Sequence, residues 1–178
     1  GVAAVLEWKL DGARIQVHKQ GDHIAIYTRS LNDVTPAVPE VTEAVRAFPA
    51  DELILDGEVI ALDAAERPLP FQVTMRRFGR RLDVDSLRAQ IPVSPFFFDV
   101  LRADGEDLLD QQLHQRLTRL DAIIPASMRV PRTVTADVEE AKRFEAGALE
   151  RGHEGLMAKS LSAPYAAGRR GSAWLKIK

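Results

Sequence analysis

Four short segments set charged residues inside or beside apolar, strand-like runs, where burial is costly unless something pairs with them. They are Glu7-Trp8-Lys9-Leu10-Asp11-Gly12-Ala13-Arg14, Asp56-Gly57-Glu58, Glu154-Gly155-Leu156-Met157-Ala158-Lys159 and Trp174-Leu175-Lys176-Ile177-Lys178. Period-two alternation puts Lys176 and Lys178 on one face of a strand and Leu175 and Ile177 on the other. Two adjacent ammonium groups repel, so this pair suits an anion such as a phosphate held between them; a solvated edge strand is the plainer account. Lys9 is the candidate nucleophile. A lysine attacks only as the neutral amine, a form that the ordinary lysine pKa of about 10.4 leaves at roughly 0.04% at neutral pH, and holding it there costs about 4–5 kcal/mol. Burial, and cations such as Arg14, Lys176 and Lys178, would each disfavour a further positive charge at that position. The plainer account here is a lysine reaching to water beside an Asp11-Gly12 turn.

The elements that must position these groups follow from apolar spacing and turn residues. Alternation through Ile15, Val17, Ile24 and Ile26 around Gln20-Gly21-Asp22 predicts a hairpin over 14–29. Pro36 and Pro39 open a helix with an apolar face of Val38, Val41, Ala44, Val45 and Phe48, and Pro49 closes it. Residues 53–62 read as two short strands or one kinked strand around Asp56-Gly57, residues 71–78 as a short helix, and 93–101 as an apolar strand before a turn at Asp104-Gly105. Asp110 is placed to cap a helix carrying Leu113, Leu117, Leu120 and Ile124. A strand over 129–135 follows. Asp137 and Glu140 form a capping-box pattern for a helix ending near Gly152, and strands at 155–160 and 173–178 complete the chain. Clustered strands with interspersed helices predict an α+β fold.

Composition bounds the function. The 178 residues carry 24 Lys+Arg against 26 Asp+Glu, 46% hydrophobic residues and no Cys. That length suits one soluble domain with a core of its own. The absence of Cys excludes thiolate zinc sites, thiol nucleophiles and disulfides. No run reaches the roughly 20 apolar residues of a membrane span, and no secretory signal pattern opens the chain, so a cytoplasmic location is expected. A net charge of −2 excludes a globally basic nucleic-acid binder, though not a local phosphate-binding stripe.

The run Lys9-x-Asp11-Gly12-x-Arg14 resembles the active-site motif of the covalent nucleotidyltransferases: ATP-dependent DNA ligases, RNA ligases and mRNA capping enzymes. Thr28-Arg29-Ser30, Leu55-Asp56-Gly57-Glu58, Phe98-Asp99-Val100-Leu101, Glu154-Gly155-Leu156-Met157-Ala158-Lys159 and Trp174-Leu175-Lys176-Ile177-Lys178 follow in that superfamily's order. Arg29-Ser30-Leu31-Asn32 and the ending Tyr165...Gly168-Arg169-Arg170...Lys178 look most like ATP-dependent DNA ligases.

The resemblance implies an ATP-grasp-like fold, two mainly antiparallel sheets flanked by helices with the nucleotide cleft between them, acting as a single adenylation domain over residues 1–178. It implies that Lys9 attacks the α-phosphate of ATP and carries AMP, that Lys176 and Lys178 hold that phosphate, and that Asp11 helps the sealing step. Glu58 would contact the ribose, and Glu58 and Glu154 would hold Mg²⁺. Phe98 would stack on adenine, with Glu7 at the base's amino edge. Arg14 would meet the ribose, Arg29 the nucleotide or the 5′ phosphate of a nick, and Arg170 the bound ATP. Lys159 would line the same pocket, with a surface position as the competing reading. Nicked double-stranded DNA is the implied substrate, in replication, repair or recombination. An RNA ligase, a capping-type enzyme using GTP and a non-catalytic nucleotide-binding module are the alternatives. Family members carry an OB-fold domain, and many an N-terminal DNA-binding domain, as partners. The chain itself is expected to be a monomer, its Ala-, Arg- and Leu-rich composition pointing to a bacterial source.

Overall fold

The computed structural model describes residues 2–79 and 83–165, together with the backbone of 174–177. The period-two runs become two antiparallel sheets. The larger has strand order β3-β2-β4-β5-β6 and is built from β2 (Ala13–Gln20), β3 (His23–Thr28), β4 (Glu52–Ala61), β5 (Val93–Ala103) and β6 (Glu106–Asp107). The smaller has order β7-β1-β8-β9, from β1 (Ala4–Trp8), β7 (Arg132–Thr135), β8 (Leu156–Ser160) and β9 (Trp174–Ile177). Helices α1 (Pro39–Arg46), α2 (Phe71–Gly79), α3 (Val84–Gln90), α4 (Leu113–Ile123) and α5 (Val138–Glu150) flank them, the expected α+β arrangement.

Alternation decides which residues the larger sheet buries. Ile15 and Val17 of β2, Ile26 of β3, Leu53, Leu55 and Val59 of β4, and Phe97 of β5 turn to one face. There they meet Val41 and Val45 of α1 and Leu113, Leu117 and Leu120 of α4 in the main core. The opposite face carries Arg14, Glu58, Phe96 and Phe98, left half-buried. Leu6, Leu156 and Ala148 make a smaller core where α5 packs on the lesser sheet, and Leu10, Ile60 and Val130 join the two sheets, with Trp8, Phe96 and Phe98 against them.

Several boundaries depart from the sequence expectation for identifiable reasons. β4 is one strand, one of the two forms expected, but it starts and ends one residue earlier than 53–62, and its pairing with β5 shifts in register at Ile54/Leu55 and again at Asp56/Gly57. Gly57 is needed there, because a Cβ would stand 2.8 Å from both the Phe96 carbonyl oxygen and the Phe97 ring. α1 stops at Arg46, before Phe48, and buried Lys19 donates to the carbonyls of Arg46 at 3.3 Å and Phe48 at 2.8 Å, taking up acceptors that the helix end leaves open. Gln112 caps α4 in place of Asp110, its backbone N–H donating to the Gln115 side chain at 3.1 Å. Asp137 caps α5 by accepting from the Glu139 N–H at 3.0 Å. The expected reciprocal bond from Glu140 is absent, since that carboxylate accepts from the hydroxyls of Thr133 and Thr135 instead. α3 has no counterpart in the sequence reading, and β7 is shorter than expected because the chain before it pairs with β5 instead: Arg129 forms an isolated bridge with Phe97, and the Val130 N–H donates to the Phe97 carbonyl at 3.0 Å.

Phe97 is fully buried and meets Phe48 edge-on with ring centroids 5.8 Å apart. Phe97→Ala is expected to cost about 3–5 kcal/mol, read as a fall in the midpoint of denaturant unfolding; a loss below 1 kcal/mol would contradict this account of the core.

Candidate functional site

Lys9 lies just past the end of β1, where the chain crosses toward β2. Its N–H donates to the Gly155 carbonyl at 2.8 Å, and its own carbonyl accepts from the Glu154 N–H at 3.1 Å. Gly155, at φ 136°, gives the turn into β8 a conformation that L side chains rarely adopt. These backbone bonds set Lys9 beside Glu154, and the two side chains form a hydrogen-bonded ion pair, 24% and 42% exposed. Asp11 adds a second carboxyl, raised from its usual range by burial, by the Glu154 charge and by a hydrogen bond with Glu154, against the pull of Lys9. Of the cations expected around Lys9, the Arg14 guanidinium binds Asp56, and the side chains of Lys176 and Lys178 lie outside the described residues. A Cβ on Gly12 would strike the Val59 carbonyl oxygen, so only glycine lets the loop lie this close to β4.

The larger sheet supplies the facing wall. β2 and β4 pair Gln16 with Asp56 and Arg14 with Glu58, making Arg14 and Asp56 diagonal neighbours. Arg14 donates from Nε to Asp56 Oδ1 at 3.1 Å and from Nη2 to Oδ2 at 2.6 Å, a planar two-point pair. Burial opposes the Arg14 charge, yet the bonds to Asp56 and its negative charge raise its proton affinity overall. The Tyr165 hydroxyl donates to Asp56 Oδ2 at 2.7 Å, and burial and the Asp56 charge hold that phenol protonated. Glu58 is pushed up to about 8 by burial; Arg14 and Lys9 pull against that, while Asp56 and Asp11 add to it.

Phe98 faces the Arg14 side of β5, as the alternation of Phe96, Phe97 and Phe98 predicts. The Arg14 guanidinium carbon lies 5.5 Å from its ring centroid, and Lys159 Nζ 4.3 Å, both within cation–π reach. Lys159 is a buried residue, 2% exposed, and pairs with Glu7 at 2.6 Å across β8 and β1. Burial raises the Glu7 carboxyl, and the Lys159 charge and hydrogen bond oppose that rise.

Lys9, Asp11 and Glu154 therefore form one cluster, Arg14 and Lys159 converge on Phe98 from Asp56 and Glu7, and Glu58 feels the charges of both groups, Arg14 and Asp56 on one side and Lys9 and Asp11 on the other. Arg29 is exposed beyond β3 and makes no hydrogen bond or ion pair among the described residues. Lys176 lies in β9 with its backbone opposite Met157, and its side chain, like Arg170 and Lys178, lies outside the described residues. Sequence reasoning assigned no role to the buried pair of Asp99 and Arg116, joined at 2.9 Å and 3.2 Å, or to Tyr165. Arg116 did carry a signal, because it interrupts the apolar stripe of Leu113, Leu117 and Leu120.

The carboxylates suit a hard divalent cation, whose charge would offset the burial that chiefly raises Asp11 and Glu58 and the carboxylate repulsion that adds to it. Among the described residues no three acidic or histidine groups converge tightly enough to enclose an ion. A bound ion would therefore take water or phosphate oxygens as further ligands, the usual habit of Mg²⁺. No described helix is long and apolar enough to cross a membrane.

A family model described as "ATP dependent DNA ligase domain" matches residues 1–178. A "Probable DNA ligase" of Anaeromyxobacter sp. (strain Fw109-5) is 60% identical over 175 residues, covering 98% of this chain and 34% of that relative. The chain thus spans about a third of that relative's length. The ligase domain of M. tuberculosis LigD superposes with a TM-score of 0.72 at 27% identity, covering 97% of this chain and 53% of that one. A mycobacterial DNA ligase D complexed with ATP and MES gives 0.70 at 26% identity, with the same coverage of each.

The raised Glu58 carboxyl has a consequence for stability. The folded protein holds a proton at Glu58 that the unfolded chain releases near 4.5, so stability falls as pH rises from 4.5 to about 8. Glu58→Gln removes this titration. Its thermal midpoint relative to the natural sequence should climb across that window by the equivalent of about 3–5 kcal/mol, several degrees or more. A difference independent of pH would show that Glu58 ionises as in the unfolded chain.

Proposed function

The chain belongs to the ATP-dependent DNA ligase domain family, and on that premise we propose that it adenylates itself on Lys9 and passes the AMP to a DNA nick. The observation that carries this reading is the gathering of Lys9 with Glu154, of Arg14 and the buried Glu7–Lys159 pair around Phe98, and of Glu58 within reach of the charges of both Lys9 and Arg14.

In the first step the Lys9 nitrogen bonds to the α-phosphorus of ATP, and the bond to the bridging oxygen breaks, so pyrophosphate leaves with the electron pair. The amine must first shed protons, and Glu154 and Asp11 are the carboxylates within reach. Phe98 stacks on adenine, with the Glu7 carboxylate at the base's amino edge. Arg14 and Glu58 meet the ribose, where a protonated Glu58 donates as well as accepts. Lys176, Lys178 and Arg170 neutralise the phosphates. Mg²⁺ held by Glu154, with Glu58 across the cleft, would supply charge neutralisation at the phosphate oxygens. In the second step an oxygen of the 5′ phosphate of the nick displaces Lys9 from phosphorus. Attack by the 3′ hydroxyl on that 5′ phosphate, with Asp11 nearby, then forms the phosphodiester and releases AMP. Arg29, exposed beyond β3, is available to the nick phosphate.

In this reading residues 1–178 act as one adenylation domain. Duplex binding is shared with OB-fold and N-terminal DNA-binding domains of a longer polypeptide, consistent with the third of the relative's length that the chain matches. The setting is the bacterial cytoplasm, at the nucleoid, in replication, repair or recombination.

Incubation of the full natural polypeptide with α-labelled ATP and Mg²⁺ should give an acid-labile label, absent from Lys9→Ala and not competed by GTP. Sealing of nicked DNA over nicked RNA would then fix the substrate. Label retained in Lys9→Ala, or no label in the natural sequence, would overturn the proposal.

A further inference from the structure

Tyr165 lies after β8 and receives no part in the chemistry above, yet it is held from behind and aimed at the cleft wall. Its N–H donates to the Leu109 carbonyl at 2.9 Å. Two residues earlier, the Ala163 carbonyl accepts from Arg116 Nη1 at 3.0 Å. Arg116 is itself fully buried: it donates to both oxygens of Asp99 and to the Gln111 carbonyl at 2.7 Å, and its guanidinium lies 5.9 Å from the Tyr165 ring centroid. The ring is thus fixed against α4 and β5, leaving its hydroxyl over β4.

That hydroxyl meets an unusually demanding acceptor. Asp56 is 2% exposed, and its Oδ2 takes both Arg14 Nη2 at 2.6 Å and the Tyr165 hydroxyl at 2.7 Å, while Arg14 Nη2 stands 3.5 Å from the phenol oxygen. A buried carboxylate that loses a donor bears much of the desolvation cost of the freed lone pair, or turns to share its remaining donors. The turn rotates the carboxylate plane, and the planar guanidinium bound to it at two points must follow.

We propose that Tyr165 is a positioning residue for Arg14: by donating to Asp56 it locks the carboxylate plane that aims the guanidinium across Phe98 into the cleft. The inference rests on the adenylation reading for the reaction it assists, and on the hydrogen-bonded geometry for its cause. A mere tether for the segment after β8 would need the ring and the backbone bond but not the hydroxyl.

The test is a double-mutant cycle in the full natural polypeptide, reading the single-turnover rate of lysyl-AMP formation against ATP concentration. Tyr165→Phe should lower the rate at limiting ATP roughly tenfold, the scale of one hydrogen bond to a charged group. In an Arg14→Ala background the same substitution should change it less than twofold, because the residue being positioned is gone. Equal losses in both backgrounds, or no loss in either, would overturn the proposal while leaving lysyl-AMP formation intact. Absence of label in the natural sequence would instead remove the adenylation reading and this proposal together, before any substitution is made. Should Tyr165→Phe fold poorly, a fluorinated tyrosine at 165, a stronger acid with the same ring, keeps the question open to experiment. Its rate should fall as pH is raised through the range where the natural phenol stays protonated, and a profile parallel to the natural one would refute the role.

Discussion

A charge taken out of water must be met by another charge or by well-aimed hydrogen bonds, and this requirement organises the whole cleft. Glu7 sits in a strand otherwise occupied by apolar side chains, and Asp56 is buried in a strand whose buried side chains are otherwise apolar. Each is answered by a cation one diagonal step away on the neighbouring strand, Lys159 for Glu7 and Arg14 for Asp56. Both cations then lie over the ring of Phe98, so the smaller sheet and the larger one converge on a single aromatic residue. The apolar contacts of Leu10, Ile60 and Val130 hold the sheets together, while the ion pairs determine what they hold between them.

The same requirement gives the two walls opposite characters. Around Lys9 the groups are acidic and part-exposed, an environment in which an arriving cation is welcome and the Asp11 carboxyl holds its proton more firmly than in water. On the facing wall each buried carboxylate is either paired, as Asp56 is with Arg14, or protonated up to about pH 8, as Glu58 is. An anionic ligand entering between them meets a guanidinium and a neutral carboxylic acid on one side and an ammonium on the other. The groups most able to repel it are those that the fold has already neutralised.

Much of this was legible in the residues themselves, and the limits are physical. Period-two alternation sets Phe97 on one face of its strand and Phe96 and Phe98 on the other without deciding which face is buried, and it marked Lys9, Asp56, Glu58 and Glu154 as charges needing company. It could not say which company. The Glu7–Lys159 and Arg14–Asp56 pairs depend on the register of strands far apart in the chain, and register is set by the whole sheet, not by either segment. Lys9 was expected among cations because those residues occur in the motifs. Its carboxylate neighbour Glu154 is brought there by a backbone bond between segments far apart in the chain, which no motif announces. α4 was plain from its leucines, but its cap fell to Gln112 because a local side-chain bond between Gln112 and Gln115 outweighs the general preference for Asp. Tyr165 carries no periodicity at all, and its orientation comes from Arg116, a residue at home on a helix elsewhere in the chain.

The order of strands also bears on how the molecule is made. The larger sheet draws its strands from one continuous stretch, each pairing with a near neighbour in sequence, whereas β1 sits between β7 and β8, which are synthesised long after it. A chain emerging from the ribosome can therefore close its main core while β1 still waits for its partners, since long-range pairings carry the largest loop-closure cost. The pairing that sets Lys9 beside Glu154 is assembled last, after the strands of the larger sheet have met.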